Sequence, residues 1–322
     1  RILVVSLHLR GIVPVQPFRQ PVARGAPILT QTTLSAPPRQ KATLRSIAAA
    51  TGLAVTTVSR ALANDPRIAA TTRAIVAEAA RQQGYVPDRA AQRLRTGRTK
   101  VVQLMLNLDH EFLGFTHDLI GGISEALAGT GYSVTIFPDV LQSDRLGSVM
   151  QIVQNRLGDG IIFNRTEPFD SRVRYLTEQG FPFACHGRTE LTAPHPFVDF
   201  DNEAFARAAV KRLVEKGRRH VMMVLPDARY SFAQHLRHGV VSAAREAGIR
   251  YELPGDVHLD IPPAETVAWL KRRFAEGDRP DGIVCVGEVS AIGTLAAITD
   301  SGLRLGTDLD VVAKRADRKS VV

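Results

Sequence analysis

The sequence predicts an α/β protein: an N-terminal helix-turn-helix head of three helices, followed by a two-lobed, doubly wound core of parallel sheets. Three observations predict it. Residues 41–98 carry two short amphipathic runs joined through a glycine, with a third beyond them; from Val101 onward short apolar runs alternate with helical ones; and the basic charge lies ahead of the core. Of the net +9 in 322 residues, 41–98 holds ten Lys or Arg against three acids, a net of +7. Residues 1–40 add five Arg and no acid, which leaves the remainder at about −3. A cationic segment ahead of a mildly acidic core is the electrostatic footprint of a phosphate-binding head. A solvated basic tail is the other reading of the same charge.

Residues 1–40 are rich in proline, lack acids and any sustained period, and begin without Met. They are expected to be disordered, or to be non-native upstream sequence ahead of a start near Lys41. The head spans 41–86. Its first helix starts after Thr43, whose hydroxyl can cap it, and it places Leu44, Ile47 and Ala48 on one face before Gly52 turns the chain. In the second helix Val55, Val58, Ala61 and Leu62 are expected to form the buried stripe. Thr56, Thr57, Ser59 and Arg60 then face outward, short polar or cationic groups of the kind that a recognition helix sets against base edges in the major groove. A third helix, built on Ile75, Val76 and Ala79, ends at Gly84.

This stretch, TLRSIAAATGLAVTTVSRALAN, resembles the head of the lac-repressor (LacI/GalR) family of transcription regulators, matching at Thr43, Ala48, Gly52, Thr57, Val58, Ser59, Arg60, Leu62 and Asn64. The resemblance covers about 43–313. It implies a cytoplasmic homodimer on double-stranded, near-palindromic operator DNA, with Thr43, Val55, Thr56, Thr57, Ser59, Arg60 and Asn64 as the head's DNA-binding residues. Two departures stand out. Ser46 replaces the usual Asp, and Ala54 replaces the serine that caps the recognition helix, a loss of about 1 kcal/mol of local helix stability. In 87–98, Pro87 can begin a short helix with Ala90, Ala91 and Leu94 along one side and Arg89, Arg93, Arg95 and Arg98 around it. The resemblance makes this the hinge helix that orders on operator, with Arg89 and Arg95 on the DNA and Leu94 as a minor-groove wedge. Asp88 stands where the family prefers Asn, and a plain basic linker is the other reading.

In the core, 99–195 should form the first lobe, with strands VVQLML, YSVTIF, GIIF and FPFAC. The second lobe, 196–316, should hold HPFVDF, HVMMVL and GIVCV. Helices are expected between them at 117–128, 146–156, 171–178, 203–215, 232–247, 264–275 and 289–299. Short buried strands alternating with helices mean parallel sheets covered on both faces. Ligands of such sheets bind beyond the carboxyl ends of the strands. The residues placed there are Asp109, His110, Phe115, Thr116, Arg188, Arg229, Tyr230, Ser231 and Glu288. Carboxylates, guanidinia and an aromatic face suit a polyhydroxylated ring. The resemblance implies a periplasmic-binding-protein-like core in which the positions of Phe115, Arg188, Arg229, Ser231 and Glu288 line an effector pocket; Asp is usual where Glu288 stands. Asp109 and Thr116 complete the expected effector-binding set. The function implied is a repressor of a sugar-catabolic operon with a small sugar effector, and a purine would compete for the same Arg positions.

Other chemistry finds little support. Asp199, Asp201 and Glu203 suggest a metal site, but an acid where a strand meets a helix is more simply a cap, and no metal, cofactor or catalytic residue is expected. HExxH, GxSxG and GxxxxGK[ST] do not occur. Cys185 and Cys285 lie in apolar runs and read as buried free thiols of a reducing cytosol. No run reaches the roughly 18 apolar residues of a membrane span. After TDLDVVAK the family continues, so the core is expected to be incomplete at the C-terminus, with 317–322 a non-native tail. The alternative function is a periplasmic-type sugar-binding protein of a transport system, which the head disfavours; an enzyme of the doubly wound class comes third.

Overall fold

The computed structural model describes residues 3–5, 42–106, 113–138 and 144–315, and the chain divides into two compact units, 13–98 and 1–12 with 99–322. The first unit holds helices α1 (Leu44–Thr51), α2 (Val55–Leu62), α3 (Ala70–Gln82) and α4 (Arg89–Thr96). Thr43 and Ser46 close a capping box at α1: Ser46 N donates to Thr43 Oγ1 at 3.2 Å, and Thr43 N donates to Ser46 Oγ at 3.0 Å. Ser46 Oγ also donates to Gln83 Oε1 at 2.7 Å, so the serine that replaces the usual acid keeps the cap and ties α1 to the end of α3. Gly52 ends α1 at φ 69, and α2 begins at Ala54 without a side-chain cap, as the sequence leads one to expect.

Ile47, Ala48, Val58, Ala61, Val76 and Ala80 form the core of this unit. Two positions expected inside are outside: Val55 is 40% exposed and Ile75 is 58% exposed. Val55 opens α2, one turn ahead of the Val58 and Ala61 contact. Ile75 sits about 100° around α3 from the buried Val76 and Ala80 stripe.

The second unit carries two five-stranded sheets. Strands β1 (Leu3–Val5), β2 (Val101–Leu106), β3 (Ser133–Pro138), β4 (Gly160–Asn164), β5 (Phe183–His186) and β6 (Phe197–Val198) come first in the chain, with α5 (Leu113–Leu127), α6 (Arg145–Gln154) and α7 (Ser171–Glu178) between them. The first sheet, all parallel, has the order β3-β2-β4-β5-β6. HPFVDF was expected to open the second lobe; instead β6 pairs with β5, and the first lobe runs past residue 195. Then follow α8 (Asn202–Glu215), β7 (His220–Met223), α9 (Ser231–Glu246), β8 (Arg250–Glu252), α10 (Pro263–Phe274), β9 (Gly282–Cys285), α11 (Glu288–Asp300) and β10 (Asp310–Arg315). Their sheet has the order β1-β10-β9-β7-β8. Leu3–Val5 lies in the segment expected to lack structure, yet it pairs antiparallel with β10: a β-branched run fits the open edge of that strand.

Alternation along the buried strands assigns each sheet face its own core. Val221 and Met223 of β7 join Val284 of β9 under α8 and α9, while Met222, Ile283 and Cys285 face α10 and α11. Both lobes fix the start of their central strand in the same way. Asp159, just before β4, accepts from Thr99 N (2.7 Å) and Lys100 N (3.0 Å) ahead of β2. Asp281, just before β9, accepts from Arg219 N (3.0 Å) and His220 N (2.8 Å) ahead of β7. An Asp-Gly pair thus registers the strands of each sheet and delivers their carboxyl ends to one side.

Candidate DNA-reading face and ligand cleft

In the head, Val55, Thr56 and Arg60 are exposed on α2, with Thr57 and Ser59 partly covered beside them. These side chains make no contribution to the packed core, and one cation stands among short polar groups. Asn64, at φ 58, holds the left-handed position that terminates α2, and Thr43 is exposed at the start of α1. Beyond the head, Asp88 does not prevent a helix: its Oδ1 accepts from Ala90 N at 2.8 Å and caps α4. Leu94 on α4 is 89% exposed, an apolar side chain held out in water on a helix otherwise made of Arg, Ala, Gln and Thr. Arg89 and Arg95 lie on the same helix.

In the core, the carboxyl ends of the strands enclose a cleft. Phe115 and Thr116 of α5, Asn164 and Arg165 after β4, and His186 and Gly187 after β5 line it from the first lobe. Asp199, Phe200 and Asn202 follow β6; Phe232, Glu288 and Lys314 come from the second lobe. The cavity measures about 80 Å³, space for about six waters at 10–15 Å³ each, or about one sugar ring. Its walls are aromatic. The Phe115 and His186 rings lie 4.5 Å apart, and Lys314 Nζ sits 4.2 Å over Phe200 while donating to Asn202 Oδ1 at 2.7 Å. Burial pushes the Lys314 ammonium down to about 8, against the pull of Asp199. Gly114 leaves the space that the Glu288 carboxylate occupies, since a Cβ there would stand 2.7 Å from Oε1. Among the described residues no hydrogen-bond or ion-pair partner holds Glu288, so its carboxylate is available to a ligand.

A buried seam joins the lobes beside the cleft. Arg165, at φ 55, pairs with Asp260 of the second lobe, both side chains only 5% exposed, and its Nη1 donates to Tyr230 Oη at 3.1 Å. Ser231 N donates to Thr166 O at 2.9 Å, and Thr166 Oγ1 donates to Arg188 O at 3.0 Å. Gly187, at φ 117, is required here because a Cβ would meet Thr166 Oγ1 at 2.4 Å. The left-handed turn at Arg165 is held by Arg172, which stacks on Phe163 at 4.3 Å, pairs with Asp170 at 2.7 Å and donates to Arg165 O at 3.1 Å. Burial raises the Asp170 carboxyl, but the Arg172 hydrogen bond and charge, the Glu167 N–H and the Arg145 charge together outweigh it and hold the group below the usual carboxylate range.

The seam divides the expected effector set. Phe115, Thr116 and Glu288 line the cleft; Arg229 and Ser231 do not, and face a separate groove with Glu167, Phe169, Glu190 and Gln234. They follow a strand as expected, but at the start of α9 it is Phe232 that enters the cleft, while Ser231 N is tied to Thr166 O. Arg188 does not line the cleft either: its Nε is bound to Asp199 Oδ2 at 2.8 Å and its Nη2 donates to Phe200 O. Asp109 and His110 lie outside the described residues. In the acidic trio Asp201 is a cap, its Oδ1 accepting from Ala204 N at 2.9 Å, whereas Asp199 is the partner of Arg188. Asn164, Arg165, His186, Phe200 and Lys314 were missed, although the first three directly follow or end their strands.

His186 gives this cleft a pH signature. Burial pulls its imidazole down to about 4, with Asp199 opposing and Lys314 assisting. Below about 6.5, the ordinary value, the unfolded chain takes up a proton that the folded chain refuses, so stability is lost as pH falls toward 4, by about 1.4 kcal/mol per pH unit. Urea melts of His186→Phe should show a flatter acid limb between pH 6.5 and 4.5 than the parent; parallel limbs contradict the assignment.

The comparisons with known proteins agree with this geometry. Residues 43–88 match the family model for bacterial regulatory proteins of the lacI family, and 210–319 match that of the periplasmic binding protein-like domain. The HTH-type transcriptional regulator AglR of Rhizobium meliloti (strain 1021) is 28% identical over 274 residues, 84% of this chain and 76% of its own. The HTH-type transcriptional regulator RafR of Escherichia coli is 33% identical over 209 residues, covering 64% and 62% of the two chains. The chain carries a lacI-family DNA-binding domain ahead of a periplasmic-binding-protein-like domain. Solved LacI-family structures share its fold. The lac repressor dimer bound to operator and the anti-inducer ONPF superposes with a TM-score of 0.70 at 21% identity, covering 84% of this chain and 82% of that one. A transcriptional regulator CelR–cellobiose complex gives 0.54 at 24% identity over 84% and 82% of the two chains. The chain therefore pairs a lacI-type DNA-binding head with a periplasmic-binding-protein-like core that encloses a cleft.

Proposed function

We propose that this regulator binds a near-palindromic operator as a homodimer and represses sugar-catabolic genes, with operator affinity set by a small sugar in the cleft. The observation that carries the DNA half is the face of α2: Val55, Thr56 and Arg60 stand exposed in a segment of net +7. The cleft supports the effector half. An aromatic wall at Phe115 and Phe200, an unpartnered carboxylate at Glu288 and an ammonium at Lys314 offer a ring one apolar face, one acceptor and one donor. The CelR neighbour holds cellobiose in a protein of the same fold. A ligand touching both lobes stabilises the arrangement it prefers and thereby biases the heads.

Selection from random duplexes tests the DNA half. It should return one palindromic motif, altered by substitutions at Val55 or Thr56 and retained by Arg60→Ala at lower affinity. Leu94→Ala should reduce operator bending in a circular-permutation assay while leaving ligand binding intact, because a wedge of this kind acts only on DNA. No enriched sequence, or equal bending by Leu94→Ala and parent, contradicts the corresponding part.

A further inference from the structure

The groove beyond the seam is built like a ligand site in its own right. It measures about 540 Å³, several times the cleft, and it lies between the lobes: Glu167, Phe169 and Glu190 on one side, Arg229, Ser231 and Gln234 on the other. Phe169 is 68% exposed, an aromatic face left in water on a loop closed by Glu167 N donating to Asp170 Oδ2 at 3.1 Å and Glu190 N donating to Pro168 O at 2.7 Å. Ser231 opens the 16-residue helix α9 and is 2% exposed, yet its Oγ has no hydrogen-bond partner. A buried hydroxyl left unpaired is destabilising unless a bound molecule or water completes it. Two further groups are only partly used. Gln234 spends its Nε2 on Ala228 O at 3.1 Å, leaving its carbonyl oxygen, and Glu190 has only a long contact to His235 Nε2 at 3.7 Å.

We propose that this groove is a second glycosyl-binding site, distinct from the cleft, in which a sugar ring lies on Phe169 and its oxygens meet Ser231, Glu190 and Gln234. An apolar platform fits a ring face, while a hydroxyl, a carboxylate and an amide oxygen on both lobes fit vicinal hydroxyl groups. The site rests on the sugar reading of the cleft, and two sources share its chemistry: a free monosaccharide, or one ring of an oligosaccharide whose other rings lie outside the groove, since the buried seam closes the path to the cleft.

Calorimetry on the full chain with glucose, cellobiose and maltotriose distinguishes them. Phe169→Ala and Ser231→Ala should each weaken groove binding about tenfold without lowering the melting temperature, since one removes an exposed ring and the other an unpaired hydroxyl. Two glucose sites, one of them lost in these variants, identify a free monosaccharide; a second cellobiose or maltotriose site that is tighter than that for glucose and is lost in these variants identifies a ring of an oligosaccharide. If Glu288→Ala weakens saccharide binding while Phe169→Ala and Ser231→Ala leave every isotherm unchanged, the groove is not a glycosyl site and the cleft reading stands. If no saccharide binds the parent, both fall.

Discussion

Asp260→Ala is expected to cost about 3–5 kcal/mol, the penalty of breaking a buried ion pair by removing one of its members. Arg165 and Asp260 are each only 5% exposed, so water cannot take the place of the missing carboxylate. Asp260 also accepts from Asp227 N at 2.8 Å, and that donor would be orphaned too. Arg165→Met should cost a similar amount for the reciprocal reason. The double variant Arg165→Met/Asp260→Leu should recover much of the loss, because two well-packed apolar side chains carry no desolvation cost. Urea denaturation of the four proteins measures the cycle. Single-variant losses below about 1 kcal/mol would mean that the pair is solvated and the seam is open in solution. The pair joins one lobe to the other, so its removal also bears on how cleft occupancy is coupled to the heads.

The second large effect concerns salt. A head and hinge segment of net +7 per chain, doubled in a dimer, can neutralise six to ten phosphates, and operator affinity should then fall roughly 10³–10⁵-fold between about 50 and 200 mM salt. Arg60→Ala should lower the slope of log affinity against log salt by about one for each phosphate that its guanidinium neutralises, with little change in sequence preference. Filter binding across that salt range reads both numbers. A flat dependence would mean that the basic charge of 41–98 does not meet the DNA backbone.

Most of the architecture was legible because burial leaves a period in the sequence. The alternation of Val221, Met222 and Met223 between two cores, and the strand and helix runs of the core, arise directly from parallel strands covered on both faces. The features that were not legible depend on partners distant in the chain. β6 is two residues long, and nothing in HPFVDF says that its neighbour is β5 rather than β7. β8 (Arg250–Glu252) is a polar edge strand without an apolar run to mark it. In the site, Phe115, Thr116 and Glu288 were legible from their places shortly after strands, and the run GIIFNRT offers Asn164 and Arg165 on the same ground. Lys314 left one signal, a cation directly after the apolar run VVA of DVVAKR. The placement of Arg229 and Ser231 in the groove, with Phe232 in the cleft, left none; Ser231 N meets Thr166 O, 65 residues away in sequence.

The most direct test is the effect of a saccharide on the operator complex of the parent and of Glu288→Ala. Operator fluorescence anisotropy should show that the parent's affinity shifts at least tenfold when the saccharide that binds the cleft is added. Glu288→Ala should bind the same operator with unchanged affinity in the absence of saccharide and lose that response, because Glu288 lies in the cleft and not in the head. An equal saccharide response in the two proteins, or no response in the parent to any saccharide, would contradict a LacI-family regulator controlled through this cleft by a sugar.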